Sequence, residues 1–276
     1  MEKAVITTIE QIREARARIA DLLLEVDDIV LQVNPRIQAE YATKIGYLEN
    51  DLLKWQVEAR RARRRYALAQ ARANAGARVA ADEFEAQLDD ELADWNRLIA
   101  RNIESFLQAA ERMAGSRALS PSESREVKQL HRELIRRLHP DLHPGQSDEG
   151  LRFFRVAQAA YEQGNLQVLR SVAVATEGMG AAPDDSALDD DAAAAELELV
   201  LAHERVVQQQ LDDLKRTNPY ALRELLEDGE WLVRRTEELK RQIGEQKEAA
   251  HAYDNRFAAL VGGGEDGDSS ATGIGD

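Results

Sequence analysis

Apolar residues recur at alternating three- and four-residue steps along most of the chain, the spacing of helices with one buried stripe. Over residues 3–33 the repeat is seven. Ile9, Arg16, Leu23 and Val30 fill one seam position, and Val5, Ile12, Ile19, Val26 and Val33 fill the other. Only Arg16 is polar, so the segment reads as a coiled-coil stripe. Asn34-Pro35 predicts the end of this helix. Proline lacks the amide hydrogen that a continuing helix needs, and it suits a first helical position after an Asn cap.

A second helix is predicted from Pro35 to about Ala73, striped by Ile37, Tyr41, Ile45, Leu48, Leu52, Trp55, Ala59, Ala62, Tyr66 and Ala69. Asn74-Ala75-Gly76 is the expected turn. A third helix, about Asp82 to Ala114, carries Phe84, Leu88, Leu92, Trp95, Ile99, Ile103, Phe106, Ala110 and Met113. Folding it back on the second places the basic tract Arg60, Arg61, Arg63, Arg64, Arg65 beside Asp89, Asp90, Glu91 and Asp94. Opposed charges then select the antiparallel register. Trp55, Trp95 and Trp231 fall on or beside stripes and read as core anchors.

Towards the C-terminus, a helix over about 192–216 presents Leu197, Leu201, Val207, Leu211 and Leu214, and Asn218-Pro219 interrupts it. A last helix, Pro219 to about Val261, is striped by Leu222, Leu226, Leu232, Thr236, Leu239, Ile243, Tyr253, Phe257 and Leu260. The expected organisation is a helical coiled-coil region over 1–115, a small module over 116–176 and an acidic linker over 177–191. A C-terminal helical pair over 192–261 and a disordered tail over 262–276 complete it.

Composition sharpens this picture. The 276 residues include six prolines, 5% aromatic and 32% charged side chains, which favours an all-α protein. There is no cysteine, which excludes disulfide and thiolate chemistry and fits a cytosolic, cytoplasmic location. The N-terminus lacks the pattern of a signal peptide, and no apolar run is long enough to span a bilayer, so no membrane partner is expected. Residues 1–115 hold 17 basic and 20 acidic side chains, residues 116–176 hold 9 and 7, and residues 177–276 hold 10 and 24. A mildly basic island thus sits in an acidic chain. Overall acidity disfavours nucleic acid as a partner, and the island suits an acidic protein surface.

The island carries the candidate chemistry. Val127, Leu130, Leu134 and Leu138 mark one buried face of a helix, while Lys128, Arg132 and Arg136 form a basic stripe, followed by Arg137. Pro140 ends the helix at His139. Asp141 and the run from His143 to Asp148 form a loop. The next helix, about Glu149–Gln163, presents Leu151, Phe154, Ala157, Ala160 and Tyr161. Gly164-Asn165 ends it, and a short helix with Leu166, Leu169 and Val172 follows.

This arrangement resembles the J-domain of DnaJ-type co-chaperones: a basic helix, His139-Pro140-Asp141, a loop, then Phe154 with Ala160-Tyr161. The resemblance covers about 50 residues. Glu126-Val127-Lys128 is similar to the family's opening of this helix. The resemblance implies that Lys128, Arg132, Arg136 and Arg137 dock on the acidic face of a DnaK-type chaperone's ATPase domain. His139, Pro140 and Asp141 would then trigger ATP hydrolysis by that partner. It implies a binding protein with no enzyme activity and no cofactor of its own, its coiled coils serving client binding or homo-oligomerisation. The sequence departs from the family pattern at His131, Glu133, Leu142 and His143. No typical first helix of the module is visible, and the segment around Phe106 and Met113 is a candidate substitute. Other readings of the residues are a plain helix stop, a metal site at His139, Asp141 and His143, acid–base catalysis by His139 and Asp141, an adaptor whose module only binds, and nucleic-acid binding through Arg60–Arg65.

Overall fold

A computed structural model describes residues 2–115, 119–180 and 188–262, and all regular structure among them is helical. The helices are α1 (Glu2–Asp28), α2 (Asn34–Tyr41), α3 (Tyr47–Asn74), α4 (Glu85–Glu91), α5 (Ala93–Gly115), α6 (Pro121–Leu138), α7 (Asp148–Glu162), α8 (Leu166–Ala175), α9 (Asp190–Arg216), α10 (Leu222–Glu227) and α11 (Gly229–Gly262). The chain forms two compact units. One comprises Met1–Ala39 and Glu111–Glu224, the other Glu40–Ala110 and Leu225–Asp276. These boundaries differ from the expected linear order, because each unit joins an N-terminal helix to a C-terminal one.

In the first unit α1 and α9 run side by side in parallel. Arg16 pairs with Glu196 at 2.6 Å, Arg18 with Glu204 at 2.6 Å and Glu25 with Lys215 at 2.6 Å, so both helices advance together. Ile12, Ala15, Ile19 and Leu23 of α1 and Val200 and Val207 of α9 are buried in one core with α6, α7 and α8. The side chain of Val5 lies outside the described residues, and over the described ones the expected seam forms, with two changes. Val30 is 44% exposed while Ile29 is buried, and Leu201 yields its place to Val200. The helix also does not stop at Asn34-Pro35. A π turn over Ile29–Val33 precedes the proline, and the Asn34 amide donates to Ile29 O. Proline's ring clashes with the carbonyl four residues back in a regular α-helix, and the wider π turn relieves that demand. Its extra residue turns the positions after Val33 by about 100°.

In the second unit α3 and α11 form a second parallel pair. Ile45 and Leu48 pack with Leu239 and Ile243, Ala59 and Ala62 with Ala250, and Ala69 with Phe257. Small alanines let the two backbones approach in the middle of this seam. The C-terminal helices thus take their partners from the N-terminal region, and the expected second hairpin is replaced by this arrangement. The antiparallel return after Gly76, which has φ +74°, does form at its base. Arg72 pairs with Glu83 at 2.9 Å, Arg65 with Glu85 at 3.1 Å, Arg61 with Asp89 at 2.6 Å and Arg64 with Glu91 at 2.9 Å. Beyond Leu92 the stripe of α5 leaves the pair, and Ile103 and Leu107 are about half exposed. The apolar face of α3 is already covered by α11, so α5 has none to bury against. Trp95 is consequently no core anchor. It is partly exposed, with the Arg60 guanidinium 5.1 Å from its ring centre. The side chains of Phe106, Ala110 and Met113 and residues 263–276 of the expected tail lie outside the described residues, as do residues 181–187 of the expected linker.

Candidate functional site

The site grows from α6, whose ends are specified locally. Ser120 caps its N-terminus. The Ser120 hydroxyl accepts from the Glu123 amide at 3.2 Å, and the Glu123 carboxylate accepts from the Ser120 amide at 2.9 Å. This reciprocal box satisfies two amides, and Pro121 fills a first-turn position that needs no donor. Val127, Leu134, Ile135 and Leu138 are buried against α7 and α8, and Leu130 is half-buried. From α7 come Phe154, Ala157, Ala160 and Tyr161, all buried.

At the C-terminus of α6, His139 is extended (φ −65°, ψ 127°), the geometry a following proline favours. The loop folds back to satisfy carbonyls that the helix leaves without amide partners. His143 Nε2 donates to Arg136 O at 2.8 Å, and Gln146 Nε2 donates to Leu138 O at 2.7 Å. The departure at His143 thus supplies a helix cap. The His139 ring packs edge-on to Phe154, with centroids 4.9 Å apart and planes at 74°, and is only 9% exposed. Its Nδ1 accepts from the Asp141 amide at 3.1 Å, which leaves the proton of the neutral ring on Nε2. Burial pushes the His139 imidazole below its ordinary pKa, and Asp141 and Asp27 oppose that shift. The His139 ring is therefore part of the module's core, while Asp141 is the exposed member of the corner.

The basic stripe faces α1. Arg136 lies 3.0 Å and Arg132 4.0 Å from Asp21, and Lys128 lies 3.8 Å from Asp28. Arg137 points elsewhere. It donates to Ala173 O at 2.8 Å and Thr176 Oγ1 at 3.0 Å, binding the carbonyl end of α8. The structure therefore groups Lys128, Arg132 and Arg136 and separates Arg137 from them.

Behind the stripe, His131 and Tyr161 stack with ring centres 3.8 Å apart and planes within 3°. His131 Nε2 lies 3.4 Å from Asp27, the Tyr161 hydroxyl donates to Asp28 at 2.7 Å, and Gln32 donates to Tyr161 O at 2.6 Å. Burial and the Asp28 hydrogen bond raise the Tyr161 phenol well above its ordinary pKa. Thus α1 and its π turn pack on the module where the segment around Phe106 and Met113 was the candidate. Sequence reasoning missed Asp21, Asp27, Asp28 and Gln32. Their one local signal is the acidic pair Asp27-Asp28 beside the seam. It also missed His203 of α9, whose Nε2 lies 3.6 Å from Asp141.

Among the described residues there is no group of three or more His, Cys, Asp or Glu able to hold a metal, and no helix is long and apolar enough to cross a membrane. His139 and His143 turn ring nitrogens to backbone groups. In the arginine tract, Arg61, Arg64 and Arg65 are paired with carboxylates. Compared with protein-family models, with curated proteins and with solved structures, the chain matches none.

Proposed function

We propose that this protein is a co-chaperone that engages the ATPase domain of a DnaK-type chaperone and accelerates its ATP hydrolysis. One observation carries the reading. Lys128, Arg132 and Arg136 lie along α6, which ends at a capped turn formed by His139, Pro140 and Asp141, and Phe154 and Tyr161 brace that turn and helix from α7. The chemistry stays in the partner. A cationic stripe steers encounter with an acidic surface, and a turn ordered beforehand lowers the entropic cost of docking. Asp141 supplies the exposed polar contact of the corner, and Phe154 holds His139 in the conformation that presents it. The parallel helix pairs serve client binding or self-association, and the absence of cysteine suits a cytoplasmic protein.

The purified chain accelerates steady-state hydrolysis by a DnaK-type chaperone, and His139→Gln abolishes the effect. Equal turnover with both proteins removes the reading. The second reading is an adaptor whose module binds without stimulating. It is favoured by the engagement of the basic stripe within the chain, and it predicts partner capture that survives His139→Gln.

A further inference from the structure

The basic stripe already has an acidic partner in its own chain. We propose that α1 is an intramolecular competitor for the docking face, with Asp21 and Asp28 standing where carboxylates of a chaperone's ATPase domain would bind. The inference rests on the co-chaperone reading and specifies how the same face is regulated.

Carboxylates from an element more than 90 residues upstream converge on three cations spaced four apart. Asp21 stands between Arg132 and Arg136. Asp28, fixed by the Tyr161 hydroxyl, approaches Lys128. At the far end of the site, His203 of α9 approaches Asp141. Since α1 and α9 are tied by Arg16–Glu196, Arg18–Glu204 and Lys215–Glu25, one helix pair attends both the stripe and the corner.

The cover is partial. The Lys128, Arg132 and Arg136 side chains remain 68%, 53% and 51% exposed, whereas the neighbouring His131–Asp27 contact is buried. Exposed pairs are weak and screened by salt, so a denser acidic surface can take over the same cations. The helix itself stays in place, because Ile12, Ile19 and Leu23 are buried in the shared core. Only side-chain partners exchange.

The test is the concentration of this protein that gives half-maximal stimulation of a DnaK-type ATPase, with folding checked by circular dichroism. Asp21 is exposed, so Asp21→Asn preserves the fold. Asp21→Asn lowers the half-maximal concentration by about three- to tenfold, the range open to one or two exposed pairs. Asp21→Asn/Asp28→Asn lowers it further, and the gain shrinks as salt is raised. Arg136→Ala raises it and reports docking itself. If the half-maximal concentration for Asp21→Asn equals or exceeds that of wild type while Arg136→Ala is impaired, competition is overturned and the co-chaperone reading stands. If no protein stimulates, wild type included, both are overturned.

Discussion

Replacing Phe154 with alanine tests the brace behind the corner. The ring is 8% exposed and shares a core with Val127, Leu134, Leu138, Ala157 and Leu169. Its contact with His139 adds an aromatic pair. Truncating a buried phenylalanine to alanine costs about 3–5 kcal/mol, of which the aromatic pair supplies about 0.5–1.5 kcal/mol. Phe154→Leu keeps most of the buried volume and loses the aromatic pair, so its cost falls near the second range. Native-state hydrogen exchange read by mass spectrometry resolves the effect by segment. Peptides from α6 and α7 in Phe154→Ala exchange about 100-fold faster or more, since about 1.4 kcal/mol corresponds to tenfold. Peptides around Leu239 and Ile243, whose hydrophobic cluster shares no residue with that of Phe154, provide the internal reference. A loss below about 1 kcal/mol in α6 and α7, or equal losses for leucine and alanine, refutes the brace.

Ser120→Ala removes one half of the capping box and destabilises the start of α6 by about 0.5–2 kcal/mol, seen as faster exchange in amides 121–124. His139 titrates below the ordinary histidine value of about 6.5, because its neutral form is favoured by burial. The stability it contributes is complete above that ordinary value and is lost as pH falls from there through the folded pKa. An NMR titration of the His139 ring showing a midpoint at or above the ordinary value contradicts this.

Helix positions were legible because three-four periodicity is local. The α6 stop at His139, the start of α7 near Glu149 and its end near Gly164 all follow from residues within a turn of each boundary. The helix end expected at Asn34-Pro35 failed, because one π turn accommodates a proline that a regular helix rejects. Helix partners were harder to read. A seam states which face is buried and leaves open what buries it. Ala59 and Ala62 meet Ala250 across nearly 190 residues of sequence, and no turn signal links them. The hairpin at Gly76 was readable because its register is set by charge, in Arg61–Asp89 and Arg64–Glu91.

Within the candidate site the same division holds. The buried set Val127, Leu134, Leu138, Phe154, Ala160 and Tyr161 lies on two neighbouring helices, so spacing alone exposes it. The placement of Arg137 on α8 and the approach of Asp21, Asp27 and Asp28 depend on tertiary packing, which spacing does not encode. His131 shares the face of Val127 and Leu134, and that position carries its burial, with Tyr161 supplying the stack.

The proposed stimulation of the chaperone depends on Asp141, the exposed residue of the corner, which can be changed without opening the core that holds His139. Single-turnover hydrolysis of ATP preloaded on a DnaK-type chaperone, with wild type beside Asp141→Asn, measures it directly. Wild type accelerates hydrolysis in the co-chaperone reading, and Asp141→Asn loses that acceleration at unchanged helicity. The same hydrolysis rate with either protein as with the chaperone alone contradicts it.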